Sequence, residues 1–542
     1  RKANALYDIV SNYRQYIDCV GFQAHFNDNP NSIISNDLQA NIQRFADLGV
    51  DVQITELDIE EVNLKRGGVK AVIMDEVVAR YYAEQDPEIW YQKTCECIRR
   101  AIQTAGVDPK EIEAVSFSGQ MHGLVALNEE HKPVMNAVVW LDQRSGEAIN
   151  EIYEKLGAEF ITKQTQNRIA AGFMVSTLYW LKTRRPELYA KVRKVFMPKD
   201  YVKFRLSGAI ITDYSDAAGS LAFDNVQLRW SETLLNALGL DLNLMPECAP
   251  STKIVGRITA QAAADTGLCE STCVVNGGAD QCMMAVGNGI VEDGVFASNI
   301  GTAGQISTTV RKPVYDTALR TNTFAHAVDH SWNLMGACLN SGISLKWITK
   351  QVLHDTDYDE VNRKVAASPI GGNGLFFLPY LTGERTPHMD SKAKGVFFGL
   401  TLAHDGAALE RAVMEGVVFA LKDCLNVLLE MGVECKRIIA AGGGARSDVW
   451  LQMQADIFER PVYRSASDEQ ACLGAAITAA VGVGKYKDYM EACAACVKEP
   501  ERAFYPIAEN VEVYRKMYPV YRELYRANRH IFSQIGDIFA VK

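Results

Sequence analysis

The sequence predicts an α/β protein of more than one domain, and three observations carry that prediction. Apolar strands that run through glycine turns into helices recur. Cys273–Val275 passes Gly277-Gly278 into a helix bearing Met283, Met284 and Val286, and Arg437–Ala441 passes Gly442-Gly443-Gly444 into a helix holding Trp450 and Met453. Polar residues collect at the ends of such strands, as at Gln120-Met121-His122-Gly123, where an α/β sheet usually binds its ligand. The 542 residues also exceed what one hydrophobic core can organise, so two or three domains are expected.

Composition narrows the function. A net charge of −10 with no long Lys/Arg block argues against a nucleic-acid partner and for small-molecule chemistry. The longest apolar stretch, residues 471–484, is Ala/Gly-rich and reads as a buried helix rather than a membrane span, so no membrane partner is expected. The opening RKANALYDIV lacks the charged-then-apolar pattern of a signal peptide and reads as a chain entered mid-domain. Thirteen scattered cysteines, an odd number, read as reduced thiols in a cytoplasmic protein. The lone CxxC, Cys493 to Cys496, lies in an Ala-rich helical setting with no second pair, and no metal is assigned to it.

Taken in order, residues 1–60 show strand (18–26), helix (36–48) and strand (52–59), a βαβ pattern. The stretch QANIQRFADLGVDVQITELDIE resembles the family 10 xylanases, with Glu56 at the position of that family's nucleophile and His25 at its strand-end histidine. A retaining glycosidase needs two carboxylates about 5 Å apart. Its (β/α)₈ barrel needs roughly 250 residues. The resemblance therefore implies a barrel fragment without its acid/base partner, and a non-functional one.

A break falls near residues 60–68. Beyond it, strands are predicted over 115–123 and 138–144, the second ending in Asp142, Gln143 and Arg144, followed by a helix over 170–182. Asp280 follows a strand and a glycine turn, which predicts a carboxylate projecting from a sheet rim. Strands over 295–300 and 305–310 flank the turn Gly301-Thr302-Ala303-Gly304, where backbone N–H groups and the Thr302 hydroxyl can meet an anion. Gly442 to Gly444 offer a second close approach of backbone to a nucleotide, and a tight turn without ligand is the alternative. A carboxylate beside a phosphate cradle points to phosphoryl transfer onto a hydroxyl. Two readings stand for His122, a sugar contact or a satisfied polar core residue, and two for Trp140, a pocket wall or a buried structural side chain. Asp142 and Arg144 are expected to pair with each other before holding a ligand. Residues 504–535, rich in Tyr and Arg, are predicted as C-terminal packing helices.

Together with GGADQ, GTAG, GERTPHMD (383–390) and AGGGARSDVW (441–450), these motifs resemble the FGGY carbohydrate kinases over residues 69–518. The Gln120–Gly123 tetrapeptide resembles the branch of that family acting on D-xylulose. The resemblance implies an actin-like ATPase (ribonuclease H-like) fold, two α/β domains around a cleft, together with the N-terminal barrel fragment. The implied divisions are a xylanase-like piece (1–60), a sugar-binding domain (61–289), a nucleotide-binding domain (290–500) and C-terminal helices (501–542). It implies ATP-dependent phosphorylation of a small-molecule ketose, with Mg²⁺ accompanying ATP, and a homodimer. Asp280 is then the proton acceptor, and Met121 and His122 contact the ketose. Gln281, at a place where Asn is common, and Trp140 join the sugar site, while Gly301, Thr302, Gly443 and Gly444 hold the nucleotide.

The chain also departs from that pattern. The D-x-G-T turn that opens the fold has Asn63 at its Asp, Lys65 at its Gly and Arg66 at its Thr, so the acid near Mg²⁺ is missing. Ser176 and Thr177 stand where the family carries a Pro-Lys pair. The chain passes almost directly from Asp75-Glu76 to residues 83–90, leaving out the loop and strand that the family carries there, which predicts an open edge on the first sheet. Three functions are thus expected in descending order: a ketose kinase, an inactive kinase remnant that still binds sugar or nucleotide, and, remotely, a xylanase. The chain reads as the tail of a xylanase joined to a kinase lacking its start.

Overall fold

The computed structural model describes strands over residues 19–26 and 51–59, and then residues 82–538 apart from 356, 467, 468, 499 and 501. The chain divides into two compact units, residues 1–80 and 81–542. In the first, β1 (Cys19–Phe26) and β2 (Asp51–Ile59) run parallel from Cys19 opposite Asp51 to Phe26 opposite Ile59, with a register slip between Phe22 and Gln23. Both strands of the predicted βαβ unit are present. The predicted helix between them, Asn63, Lys65 and Arg66, and the side chains of His25 and Glu56 lie outside the described residues.

The second unit starts on a helix whose ends are written in the sequence. In α1 (Pro87–Ala105), the Asp86 carboxylate accepts from Glu88 N–H at 2.9 Å and Pro87 takes the first turn. Gly106, at φ 64°, closes the other end by donating to Ile102 O. The chain then enters β3 (Ala114–Val115) and β4 (Ser118–Gly119). After α2 (Met174–Arg184), α3 (Pro198–Ser207), α4 (Tyr214–Gly219) and β5 (Ile254–Arg257) come β6 (Cys273–Val275), β7 (Gly278–Ala279) and α5 (Asp280–Gly287). Here β3 pairs parallel with β6 and β4 with β7, while β5 lies antiparallel on the far side of β6. Among the described residues β3 and β4 have no partner on their other edge, where the sequence predicted an open one.

The second sheet has seven strands among the described residues. It uses β8 (Val295–Ile300), β9 (Gly304–Val310), β10 (Asn322–Ala325) and β11 (Trp332–Cys338). After α6 (Gly342–Trp347) and the 25-residue α7 (Gly406–Glu430) follow β12 (Arg437–Ala441), α8 (Asp448–Phe458), β13 (Val462–Arg464), α9 (Gln470–Gly482), β14 (Ala503–Phe504) and α10 (Ala508–Ile538). The strand order is β10-β11-β9-β8-β12-β13-β14. An antiparallel meander thus meets parallel strands at β8, and because β8 and β12 run parallel, their C-terminal ends reach one rim. The core of this half is built from Phe296 and Ile306 of the sheet with Val417, Val418 and Leu421 of α7.

Three predicted elements change, and the first, the strand expected over 115–123, is split into β3 and β4 and ends before Gln120. The strand expected over 138–144 is only Ala137–Val138, because Asp142 bends the chain: its carboxylate accepts from Arg144 N–H (2.9 Å) and from Ala83 N–H (2.6 Å). The C-terminal helices are one 31-residue helix, α10, that runs through Pro519, and Phe504 belongs instead to the edge strand β14. The Ala/Gly-rich stretch forms α9, and no helix among the described residues is long and apolar enough to cross a membrane.

Candidate active site

Asp280 is the first residue of α5, directly after β7. The turn that delivers it needs glycine: Gly277 has φ 76°, and a Cβ there would lie 2.6 Å from Phe117 O. One carboxylate oxygen accepts from Gln281 N–H at 2.6 Å. Burial pushes the Asp280 carboxyl up to about 6, outweighing the contrary pull of its hydrogen bonds with Gln281. Such a group is ionised at neutral pH and still basic enough to take a proton.

Met121 and His122 are placed by a strained turn. Gly123 N–H donates to Met121 O at 2.9 Å around His122 at φ 74°, a γ-turn geometry that non-glycine residues rarely adopt. Gly123 permits it, since a Cβ there would come within 2.8 Å of Val138 O. The His122 ring stacks on Phe173 with centroids 3.8 Å apart, and Nδ1 lies 2.7 Å from Gly219 O. A carbonyl can only accept, so the proton is assigned to Nδ1 and Nε2 keeps a lone pair. Burial lowers the His122 pKa to about 4, so the ring is neutral. Met121 is buried beside it.

Gly219, which orients His122, ends α4, and α4 is tied down by buried charge. Lys199 Nζ of α3 lies 2.7 Å from Asp200, 2.7 Å from Asp213 and 2.9 Å from Asp216. Burial opposes the Lys199 charge, but three carboxylates hold its pKa well above the usual value. Lys203 Nζ adds contacts to Asp200 (2.8 Å) and Asn276 Oδ1 (2.5 Å), linking this cluster to the segment before Gly277.

The remaining sugar-side residues separate. Trp140 is 48 % exposed, which excludes the buried structural alternative. Arg144 grips Asp142 through Nε and Nη2 (2.9 and 2.8 Å), adds Glu84 at 2.7 Å and stacks over Tyr82, so these two side chains serve each other.

On the opposite rim, the turn after β8 leaves Thr302 and Ala303 exposed, while Gly301 N–H is already taken by Ala303 O at 2.9 Å. The turn is braced from behind, with Ser341 N–H donating to Thr302 O (3.1 Å) and Gly342 N–H to Gly301 O (2.8 Å). Gly442 to Gly444 lie alongside: a Cβ on Gly444 would sit 2.6 Å from Ile300 Cβ, whereas one on the exposed Gly443 would meet nothing closer than 3.9 Å. Thus Gly301, Thr302, Gly443 and Gly444 share a rim. The sheet register brings Asn299 opposite Ala441 just before both turns.

One bond joins the two rims. Gln305 Nε2, one residue beyond Gly304, donates to Gln281 Oε1 at 2.5 Å, so the turn that could hold phosphate lies beside the carboxylate that could accept a proton. Gln305 went unnoticed in the sequence because its polar side chain sits in an ordinary strand pattern.

Magnesium that accompanies ATP usually rests on the phosphates and one or two carboxylates, and a larger ligand cluster was sought among the described residues. Among them, three carboxylates close enough to share a cation occur only at Asp200, Asp213 and Asp216, and Lys199 Nζ already fills their centre.

Two halves that meet across Gln281 and Gln305, one presenting a carboxylate and a histidine and the other a phosphate-sized turn on a β10-β11-β9-β8-β12-β13 sheet, make an actin-like ATPase fold built as a sugar kinase. The profile for the FGGY family of carbohydrate kinases, N-terminal domain, matches residues 67–287, and that for the C-terminal domain matches residues 296–483. The glycosyl hydrolase family 10 profile matches residues 1–106. The chain is 37 % identical to a xylulose kinase of Bacillus subtilis over 82 % of this chain and 89 % of that protein. It is 32 % identical to a gluconokinase of the same organism over 84 % of this chain and 90 % of that protein. The crystal structure of ligand-bound xylulose kinase from Lactobacillus acidophilus superposes with a TM-score of 0.79 at 28 % identity, covering 84 % of this chain and 91 % of that one. The chain belongs to the FGGY family of carbohydrate kinases.

Proposed function

We propose that this protein transfers the γ-phosphoryl group of ATP to the terminal hydroxyl of D-xylulose, giving D-xylulose 5-phosphate and ADP. The observation that supports the residue roles is the Gln281–Gln305 bond, between the residue that follows Asp280 and the residue that follows the Gly301–Gly304 turn. The similarity to a xylulose kinase over 89 % of its length supports the choice of sugar.

His122 Nε2 accepts a hydrogen bond from a sugar hydroxyl because its Nδ1 proton is committed to Gly219 O. Buried Met121 and exposed Trp140 give the sugar apolar surface, and Gln281 turns a polar face to it. Thr302 and the backbone at Gly443 and Gly444 hold the ATP phosphates, while Gly301, whose N–H is committed to Ala303 O, shapes the turn. The sugar oxygen forms a bond to the γ-phosphorus as the bond from that phosphorus to its bridging oxygen breaks. The electron pair leaves on ADP, and the hydroxyl proton passes to Asp280, whose raised pKa suits a late transfer. ATP as donor and reduced cysteines support a cytoplasmic setting.

ADP release measured against D-xylulose, D-ribulose, gluconate and glycerol, with Asp280→Asn alongside, tests this. Turnover with D-xylulose that falls to background in the variant supports the reading. No turnover above the variant on any of the four would overturn it in favour of a binding remnant.

A further inference from the structure

The loop Gly383 to Asp390 lies on the same rim and has so far been given no task. It is fixed from two sides. Toward the sheet, the Glu384 carboxylate accepts from Leu339 N–H at 2.9 Å, Asn340 Nδ2 donates to Gly383 O at 3.0 Å, and Thr386 N–H donates to Ala337 O at 3.0 Å. Residues 337–340 continue directly into Ser341 and Gly342, whose N–H groups hold Thr302 and Gly301. Toward α10, the His388 ring stacks on Tyr525 with centroids 3.5 Å apart, and Tyr525 O–H donates to Asp390 at 2.9 Å.

This bracing presents Arg385. Its neighbour Glu384 is buried, with the carboxylate turned to backbone N–H groups, including Arg385 N–H at 2.7 Å. The Arg385 side chain is exposed, and among the described residues its guanidinium makes no hydrogen bond or ion pair. Its field nevertheless reaches His122 in the other half, adding to the burial that keeps that ring neutral. A guanidinium that neighbours the Glu384 carboxylate but is bonded to neither of its oxygens therefore lies within electrostatic reach of the sugar histidine. A ketose carries no charge to attract it. The group passed to the ketose does, and a guanidinium matches phosphoryl oxygens with two parallel donors.

We propose that Arg385 binds the phosphoryl group as it is transferred and in the sugar-phosphate product. This rests on the kinase reading above and adds to it a catalytic residue. As the new sugar O–P bond forms and the P–O bond to ADP breaks, the guanidinium meets the equatorial phosphoryl oxygens, where negative charge is spread. It supplies fixed positive charge in a chain that carries Thr177 where the family pattern has a lysine.

The test compares full-length wild type with Arg385→Ala and Arg385→Lys. Measured are kcat and KM for ATP and D-xylulose, thermal melting, and calorimetric binding of D-xylulose and D-xylulose 5-phosphate. For Arg385→Ala, kcat is expected to fall roughly 100- to 1,000-fold. The KM for D-xylulose should stay within about threefold, with unchanged melting and at least about tenfold weaker binding of the phosphate ester but not of the sugar. Arg385→Lys should recover part of both losses, because it restores charge without the paired donors. A kcat within twofold of wild type, or a loss of sugar binding equal to the loss of ester binding, would overturn the proposal while leaving the kinase reading intact. Absence of wild-type turnover would overturn the kinase reading. Ester binding that ignores Arg385 would then overturn this one as well.

Discussion

Gln305 Nε2 and Gln281 Oε1 meet at 2.5 Å, and through them a strand of one sheet touches the residue that follows Asp280 in the other half. The contact couples the acceptor carboxylate to the phosphate turn without either touching the other. In a double-mutant cycle, Gln281→Ala and Gln305→Ala should each lower kcat/KM, and the pair should fall short of additivity by about 1 kcal/mol. Strict additivity would mean that the two glutamines act independently.

Asp280→Asn should abolish turnover, lowering kcat at least about 1,000-fold, and at the same time stabilise the protein. The folded-state pKa is raised to about 6 by burial, so the folded protein holds its proton more tightly than the unfolded chain does. That contribution is fully present below the unfolded pKa and is lost as pH rises through 6, leaving an ionised, desolvated carboxylate at pH 8. Its removal should raise stability by about 1 kcal/mol at pH 8 and by less at pH 4, as urea titrations at the two values would register.

The acid limb of kcat/KM should have an apparent pKa near 6, with turnover at pH 5 about tenfold below that at pH 7. His122, lowered to about 4 by burial, titrates too far down to produce it. Glu384, raised to about 7 by burial, falls near the same window, so Glu384→Gln is the control. The limb should persist in that variant, and its disappearance would transfer the titration to Glu384.

Two adjacent glycines should behave differently. Gly444→Ala forces a Cβ to within 2.6 Å of Ile300 Cβ and should cost about 2 kcal/mol by denaturant titration. Gly443→Ala meets only Ile300 O at 3.9 Å, an ordinary contact, so the protein should melt as wild type while its KM for ATP rises about tenfold. An unchanged KM would remove Gly443 from the nucleotide site.

Lys199→Met leaves Asp200, Asp213 and Asp216 buried around an apolar tip and should destabilise by about 3–5 kcal/mol. A smaller loss would show that the cluster rearranges around the missing charge.

The rims could be read from the sequence because glycine turns and strand patterns are local. Asp280, the Gly301–Gly304 turn and Gly442 to Gly444 each stand within a few residues of the signal that marks them. What sets those groups in place is remote. The sugar contact of His122 was legible from its strand end, but its orientation by Gly219, 97 residues away, and the presentation of Arg385 by a loop held between β11 and α10 do not show in a local pattern. The charges of PKDYVKFRLS look like the solvent face of a helix until α4 places Asp213 and Asp216 around Lys199. Asp142, a side chain that hydrogen-bonds the backbone on both sides of itself, cut short the strand predicted through it.

Because α10 buttresses the Arg385 loop through Tyr525, a premature stop codon at that position would disarm the enzyme from behind while sparing every side chain that meets a reactant. Screens that rank truncations by linear distance from Asp280 would score such a lesion as mild, and affinity tags fused close behind α10 carry the same hazard.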